Sequence, residues 1–171
     1  MKKLTIIGIA LSLLLILVLS QQQHIVTAKV APMFVPPAGI TVNDSAAAIA
    51  DDGKCTLPEA IIAANTDTVS GATVGECAAG SGADTINIAL PPGTVILFAT
   101  PNNWEYGPNA LPPITSDITI EGNGAVLDST ATTRLRFFYV SGALSFEGTN
   151  GLPAGKLMLR DLTLKNGKQQ G

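Results

Sequence analysis

Histidine is nearly missing. The 171-residue chain holds one, His24. Beyond it there is no imidazole to act as a general base or a metal ligand. Charge is scarce as well: 13% of residues are charged and the net charge is −3, which excludes charge-driven disorder. No strongly basic face is present, so nucleic acid is not an expected partner. Aromatics make up 5% of the chain, leaving small and β-branched residues to fill the interior. There are two cysteines and one long apolar run, residues 4–19. That run is shorter than the ~20 residues a membrane-spanning helix needs.

In place of these the chain has 17 glycines and 11 prolines, which predict short strands and tight turns within about one domain. Charge is unevenly spread. Residues 29–130 carry 2 basic and 11 acidic side chains, and residues 131–171 carry 6 and 2. A solvated surface of uneven charge accounts for this better than a polyanion site.

Lys2 and Lys3 precede the apolar run, and a polar break follows at Gln21–His24. This is the pattern of a secretory signal over residues 1–28, with cleavage after Ser20 or after Ala28. An uncleaved anchor is the other reading. On the signal reading the protein is exported, secreted or held at the cell surface, and meets the membrane only through this segment. Pro-rich residues 29–39 read as a linker.

In an exported chain, Cys55 and Cys77 read as a disulfide. Closing a loop of this size stabilises by about 3 kcal/mol in the chain-entropy model. A metal site or a thiol nucleophile is the rival reading. The first needs about four ligands and the second a base. No metal and no cofactor is expected.

Around the first cysteine, residues 51–65 read DDGKCTLPEAIIAAN. Thr56 and Glu59 have capping-box spacing, and Pro58 falls in the first turn, where no amide bond is lost. Leu57, Ala60, Ile61 and Ala64 recur on one face, predicting an amphipathic helix of about three turns. It needs an apolar support, and the expectation is a lid on one end of a stack of β-coils. Asp51-Asp52-Gly53 lacks the alternating carboxylates of a calcium loop and reads as a turn. Asn43-Asp44-Ser45 is a glycosylation acceptor in a glycosylating host and otherwise a turn.

Strands are expected at residues 39–43, from Asp84 (DTINIAL), at TVILF, where burial on both faces is expected, at residues 137–140 (FFYV) and at residues 144–146. In residues 118–128 (ITIEGNGAVLD), Gly122-Asn123-Gly124 is read as a turn between two strands. Residues 157–167 (LMLRDLTLKNG) repeat that segment at an offset of 39. Stacked coils repeat at roughly 20–30 residues, and a Gly/Pro insertion at residues 148–155 accounts for the excess. The fold class expected is mainly β, the start of a right-handed parallel β-helix (solenoid) with an N-terminal amphipathic capping helix. The cap covers residues 40–83 and the first coils residues 84–171, with the stack truncated after Gly171. A sandwich would show longer, evenly spaced strands.

The Cys–helix–Cys stretch, followed by AGSGADTINI, resembles the exported bacterial family named for its Cys-Ser-Leu-Arg-Glu-Ala signature. DITIEGNGAVLD, RFFYVSGA and LMLRDLTLKNG resemble the first coils of parallel β-helices in that family. The likeness covers about residues 40–167, and its helix portion is the more specific. Thr56 replaces the signature Ser and keeps the capping hydroxyl; Pro58 replaces the Arg and removes a cation. The resemblance implies a larger secreted or surface-associated protein, structural or adhesive, with further coils.

Parallel β-helices also resemble pectin- and pectate-lyase folds, so the alternative is the capping part of a polysaccharide-active enzyme. Asp117, Glu121, Asp128, Asp161, Arg134, Arg136 and Arg160 are the residues available to it. No two of the carboxylates repeat at one coil position, so no catalytic residue is assigned. Trp104 and Tyr106, in the Pro/Asn loop at residues 101–113, are the candidate contact with polysaccharide or other cell-surface components. The alternative is that Trp104 packs over the side of the stack.

Overall fold

A computed structural model of the protein describes residues 39–143 and 151–169. The signal segment, the linker before Gly39 and the strand expected at residues 144–146 lie outside the described residues. Among the described residues, five strands and one helix follow the order β1 (Ile40–Val42), α1 (Leu57–Thr66), β2 (Ala83–Ile88), β3 (Val95–Phe98), β4 (Asp117–Ser129) and β5 (Lys156–Lys165). The protein is mainly β, and its named strands form one curled sheet paired in parallel throughout.

The pairing puts like residues on like. Ile40 lies beside Ile86, Ile86 beside Ile120, and Ile120 beside Leu159. In the second half of β4, Ile96 pairs with Leu127 and Leu127 with Leu164. Side chains alternate across a strand, so each row faces one side. Ile40, Ile86, Ile120, Ile96 and Leu127 are all buried. A β4 register one residue out would turn its whole aliphatic row to solvent, which is why the pairing is well specified.

α1 forms as its residues predict. The Thr56 amide donates to Glu59 Oε2 (2.9 Å) and the Glu59 amide to Thr56 Oγ1 (3.4 Å), closing the capping box. The helix ends at Asp67, a left-handed residue (φ 53°) whose Oδ1 accepts from the Gly82 amide. α1 lies against β1 and β2. Its burial is wider than the expected stripe, because Pro58, Glu59 and Ala63 are buried along with Leu57, Ala60, Ile61 and Ala64. Cys55 and Cys77 are joined in a disulfide.

Four local expectations are corrected. First, TVILF is not buried on both faces. Ile96 and Phe98 are buried, but Val95 and Leu97 are 45% and 54% exposed, since no described layer covers the outer side of β3. Second, Gly122-Asn123-Gly124 bends the chain without ending the strand: β4 spans 13 residues, turning at Asn123 and Gly124 (both at positive φ), where its register with β5 shifts. Third, the repeat is not ungapped. The offset to β5 is 39 from Asp117 to Glu121 and 37 from Ala125 to Asp128. Asp161 alone (φ 45°) makes the bend opposite the three-residue Gly-Asn-Gly segment. A Cβ on Gly122 would fall on the Asp161 carbonyl, so the strands meet here only through glycine.

Fourth, residues 137–140 are not a strand. They take part in isolated contacts: the Leu111 amide donates to the Phe137 carbonyl (3.1 Å) and the Ile114 amide to the Tyr139 carbonyl (2.9 Å). Residues 108–114 thus run beside residues 136–141, continuing the strand-on-strand register around a bend of the chain. Phe98 and Phe137 close the interior there with an edge-to-face contact, ring centroids 5.9 Å apart.

Candidate functional site

The loop between β3 and β4 carries both aromatic candidates, and it is tightly held at its base. The Asn109 amide donates to the Asn103 carbonyl (2.9 Å), and the Asn102 amide donates back to the Asn109 carbonyl (2.7 Å). Asn109 is fully buried. Its Nδ2 lies within hydrogen-bond reach of Asn103 Oδ1, the Glu105 carbonyl and the Gly107 carbonyl, at 2.8–2.9 Å. One side chain therefore gathers the acceptors of the whole loop tip, and a buried amide with such partners resists displacement. Asn103 Nδ2 donates to the Leu111 carbonyl (2.7 Å), and Arg136 Nη2 donates to the Glu105 carbonyl (2.8 Å).

The tip is a turn closed by the Gly107 amide donating to the Trp104 carbonyl (3.0 Å). Within it Tyr106 has a φ of 52°, a costly conformation for an aromatic residue. The consequence is exposure. Trp104 is 72% and Tyr106 63% exposed, so Trp104 does not pack over the side of the sheet. Tyr106 leans on the half-buried Tyr139, with ring centroids 5.6 Å apart and planes at 32°. The result is two aromatic rings presented to solvent on a pinned turn, one of them, Tyr106, backed by Tyr139.

Tyr139 and Asn109 were not found by sequence reasoning. Tyr139 was hidden in an apolar run read as a strand. Asn109 was one of several asparagines in a loop, and its three acceptors are not legible from spacing. A shallow hollow lined by Ala47, Ile49, Phe98, Thr100 and Ala110 opens at the foot of the same loop.

The acid–base candidates do not converge. Asp117 pairs with Lys156 (3.0 Å), Glu121 with Arg160 (2.8 Å), and Asp128 accepts from Asn166 Nδ2 (2.7 Å). Asp161 is exposed at the β5 bend, and Arg134 is exposed as well. In the 51–53 turn, Asp51 accepts from the Thr73 amide (2.8 Å) and Glu76 Oε1 from the amides of Asp52 and Gly53 (2.8 Å each). These carboxylates hold the disulfide loop to the turn. Asn43 Oδ1 accepts from the Cys55 amide (2.8 Å), which fixes the start of the same region.

Compared with family models, curated proteins and solved structures, the chain matches none.

Proposed function

We propose that this is an exported, non-catalytic right-handed parallel β-helix protein that contacts carbohydrate through Trp104 and Tyr106. The observation that carries the proposal is the exposed pair of rings on a turn held by buried Asn109. An aromatic face set out in water at a conformational cost suits stacking on a sugar ring, and a pinned loop loses little entropy on binding.

The solenoid is supported by register. β1, β2, β4 and β5 follow one another along one side, β3, β4 and β5 along the next, and residues 108–114 and 136–141 along a third. In this architecture α1 and its disulfide loop serve as the lid over the first coil. Membership of the Cys-Ser-Leu-Arg-Glu-Ala family is supported by the Cys–helix–Cys unit with its closed capping box. Export is supported by the signal-like pattern of residues 1–28 and by the disulfide, which belongs to oxidising compartments. The lyase-like alternative has less support, because Asp117, Glu121 and Asp128 each hold a side chain of the neighbouring strand or the residues after it.

Affinity electrophoresis through gels containing neutral or acidic polysaccharides tests the proposal. Wild-type protein is retarded by at least one of them, and Trp104→Ala loses about tenfold or more in affinity, the order expected of a lost stacking contact. Equal retardation of wild type and variant would retire the aromatic site.

A further inference from the structure

Negative charge gathers at the C-terminal end of α1. Helix carbonyls converge there and favour a cation, yet no basic residue stands in the last turn. Two carboxylates stand there instead. Asp67 caps the helix and is exposed, whereas Asp84, the second residue of β2, is 3% exposed. Successive loop amides hold the pair: the Ser81 amide donates to Asp84 Oδ1 (2.8 Å) and the Gly82 amide to Asp67 Oδ1 (3.1 Å). One oxygen of each carboxylate is thereby used. Asp84 Oδ2 is buried with no hydrogen-bond partner among the described residues, a costly state for a carboxylate oxygen. Neither group pairs with a basic side chain among the described residues. A Cβ on Gly80 would lie 2.6 Å from Asp84 Oδ2 and 3.0 Å from the Ala63 carbonyl oxygen, so both oxygens face the same flank of Gly80. The Ala63 carbonyl accepts from the Gly80 amide at 3.3 Å and has a second lone pair to offer.

We propose that Asp84 Oδ2, the Asp67 carboxylate and the Ala63 carbonyl bind a calcium ion at this end of α1. The donors are all oxygen, and two carboxylates balance a divalent charge. Two loops and a helix end supply them, which suits the flexible coordination of calcium better than the near-ideal octahedron magnesium demands. Among the described residues no third acidic, His or Cys side chain completes the set, so water fills the remaining positions. The affinity then belongs to the weak class of extracellular modules, about 10⁻⁴–10⁻³ M. The ion would tie the cap of α1 to β2, and so the helix to the sheet. A proton is the rival occupant, since burial and the Asp67 carboxylate both push the Asp84 carboxyl up. If a proton alone satisfies Asp84, calcium adds nothing. The inference does not depend on the aromatic turn, which lies on another segment.

Thermal unfolding of the full chain, stripped with EDTA and titrated with calcium chloride at fixed ionic strength, tests the site. The melting temperature should rise saturably, with a midpoint at about 10⁻⁴–10⁻³ M, and magnesium should be weaker by about tenfold or more. Asp67→Asn and Asp84→Asn keep the size of each side chain and an oxygen for its amide partner, so the fold is retained. Each should weaken calcium binding, read by equilibrium dialysis, by about tenfold or more, at least what the loss of an outer partner costs a metal site. A melting temperature indifferent to calcium, an equal response to magnesium, or calcium binding kept by either variant would each overturn the proposal.

Discussion

Glu59 and Asp84 are both buried carboxyl groups, and they differ in the donors offered to them. Glu59 accepts from the Ala50 amide (2.6 Å), the Thr56 amide (2.9 Å) and Thr56 Oγ1 (3.0 Å). Asp84 Oδ1 accepts from the Ser81 amide (2.8 Å), while its Oδ2 has no partner among the described residues. Burial pushes the Asp84 carboxyl above its ordinary value of 3.8; the Ser81 amide opposes this and the Asp67 carboxylate adds to it. Between the unfolded value and the raised folded value, the folded chain holds the extra proton. Stability therefore falls as pH rises through that window and stays lower above it. Asp84→Asn should melt above wild type at about pH 7, with the gap closing as the pH is lowered past the unfolded value, as measured by thermal unfolding across pH. Asp44 has the opposite sign. The bond from Lys54 holds its carboxyl below the usual value, so its contribution is present above 3.8 and is lost as pH falls through the lowered value. For Glu59, truncation to Ala strands two backbone donors and should cost about 3 kcal/mol in denaturant unfolding. Thr56→Ala removes the cap hydroxyl and should cost about 1 kcal/mol.

Elements differ in how much of them could be read from the chain. α1 was legible because its signals are local: Thr56 meets Glu59 three residues on, and Pro58 sits where a helix tolerates it. What fastens α1 was not legible. Asn65 Nδ2 donates to the Pro113 carbonyl (2.7 Å) and its Oδ1 accepts from the Thr115 amide (2.9 Å), partners about fifty residues away. In the same way Gly122-Asn123-Gly124 carries a turn signal and does bend the chain, but pairing with β5 resumes on its far side, so the bend lies inside β4. The four apolar residues of β3 could not say whether a second layer covered them. The disulfide was legible from the even count of two cysteines, and it joins the start of α1 to the loop beyond it. Replacing Cys55 and Cys77 together by Ala should lower stability by about 3 kcal/mol, read from denaturant unfolding fitted with its own slope, since loss of the crosslink loosens the unfolded chain. A Cβ at Gly122 would displace the Asp161 backbone, so Gly122→Ala should destabilise the β4–β5 pair while leaving α1 intact. Amide exchange accelerated in β5 but not in α1 would show it.

At the scale of the whole molecule, the uneven charge of the sequence acquires a structural reason. The acidic stretch and the basic stretch meet where β4 pairs with β5, in the contacts of Lys156 with Asp117 and Arg160 with Glu121. These pairs are exposed and each is worth no more than about 1 kcal/mol, so their effect is on register more than on stability. The sequence showed the asymmetry but not its partner, because an offset of 39 residues becomes a contact only once the strands are stacked. Trp104 is the chain's single tryptophan, so its fluorescence reports on that turn alone. The most direct measurement is a titration of the intact protein with polysaccharide, following tryptophan emission. A saturable shift of the emission away from that of a solvated indole, matching the affinity found by electrophoresis, is the predicted result. Emission that stays fully solvated at saturating polysaccharide would contradict it.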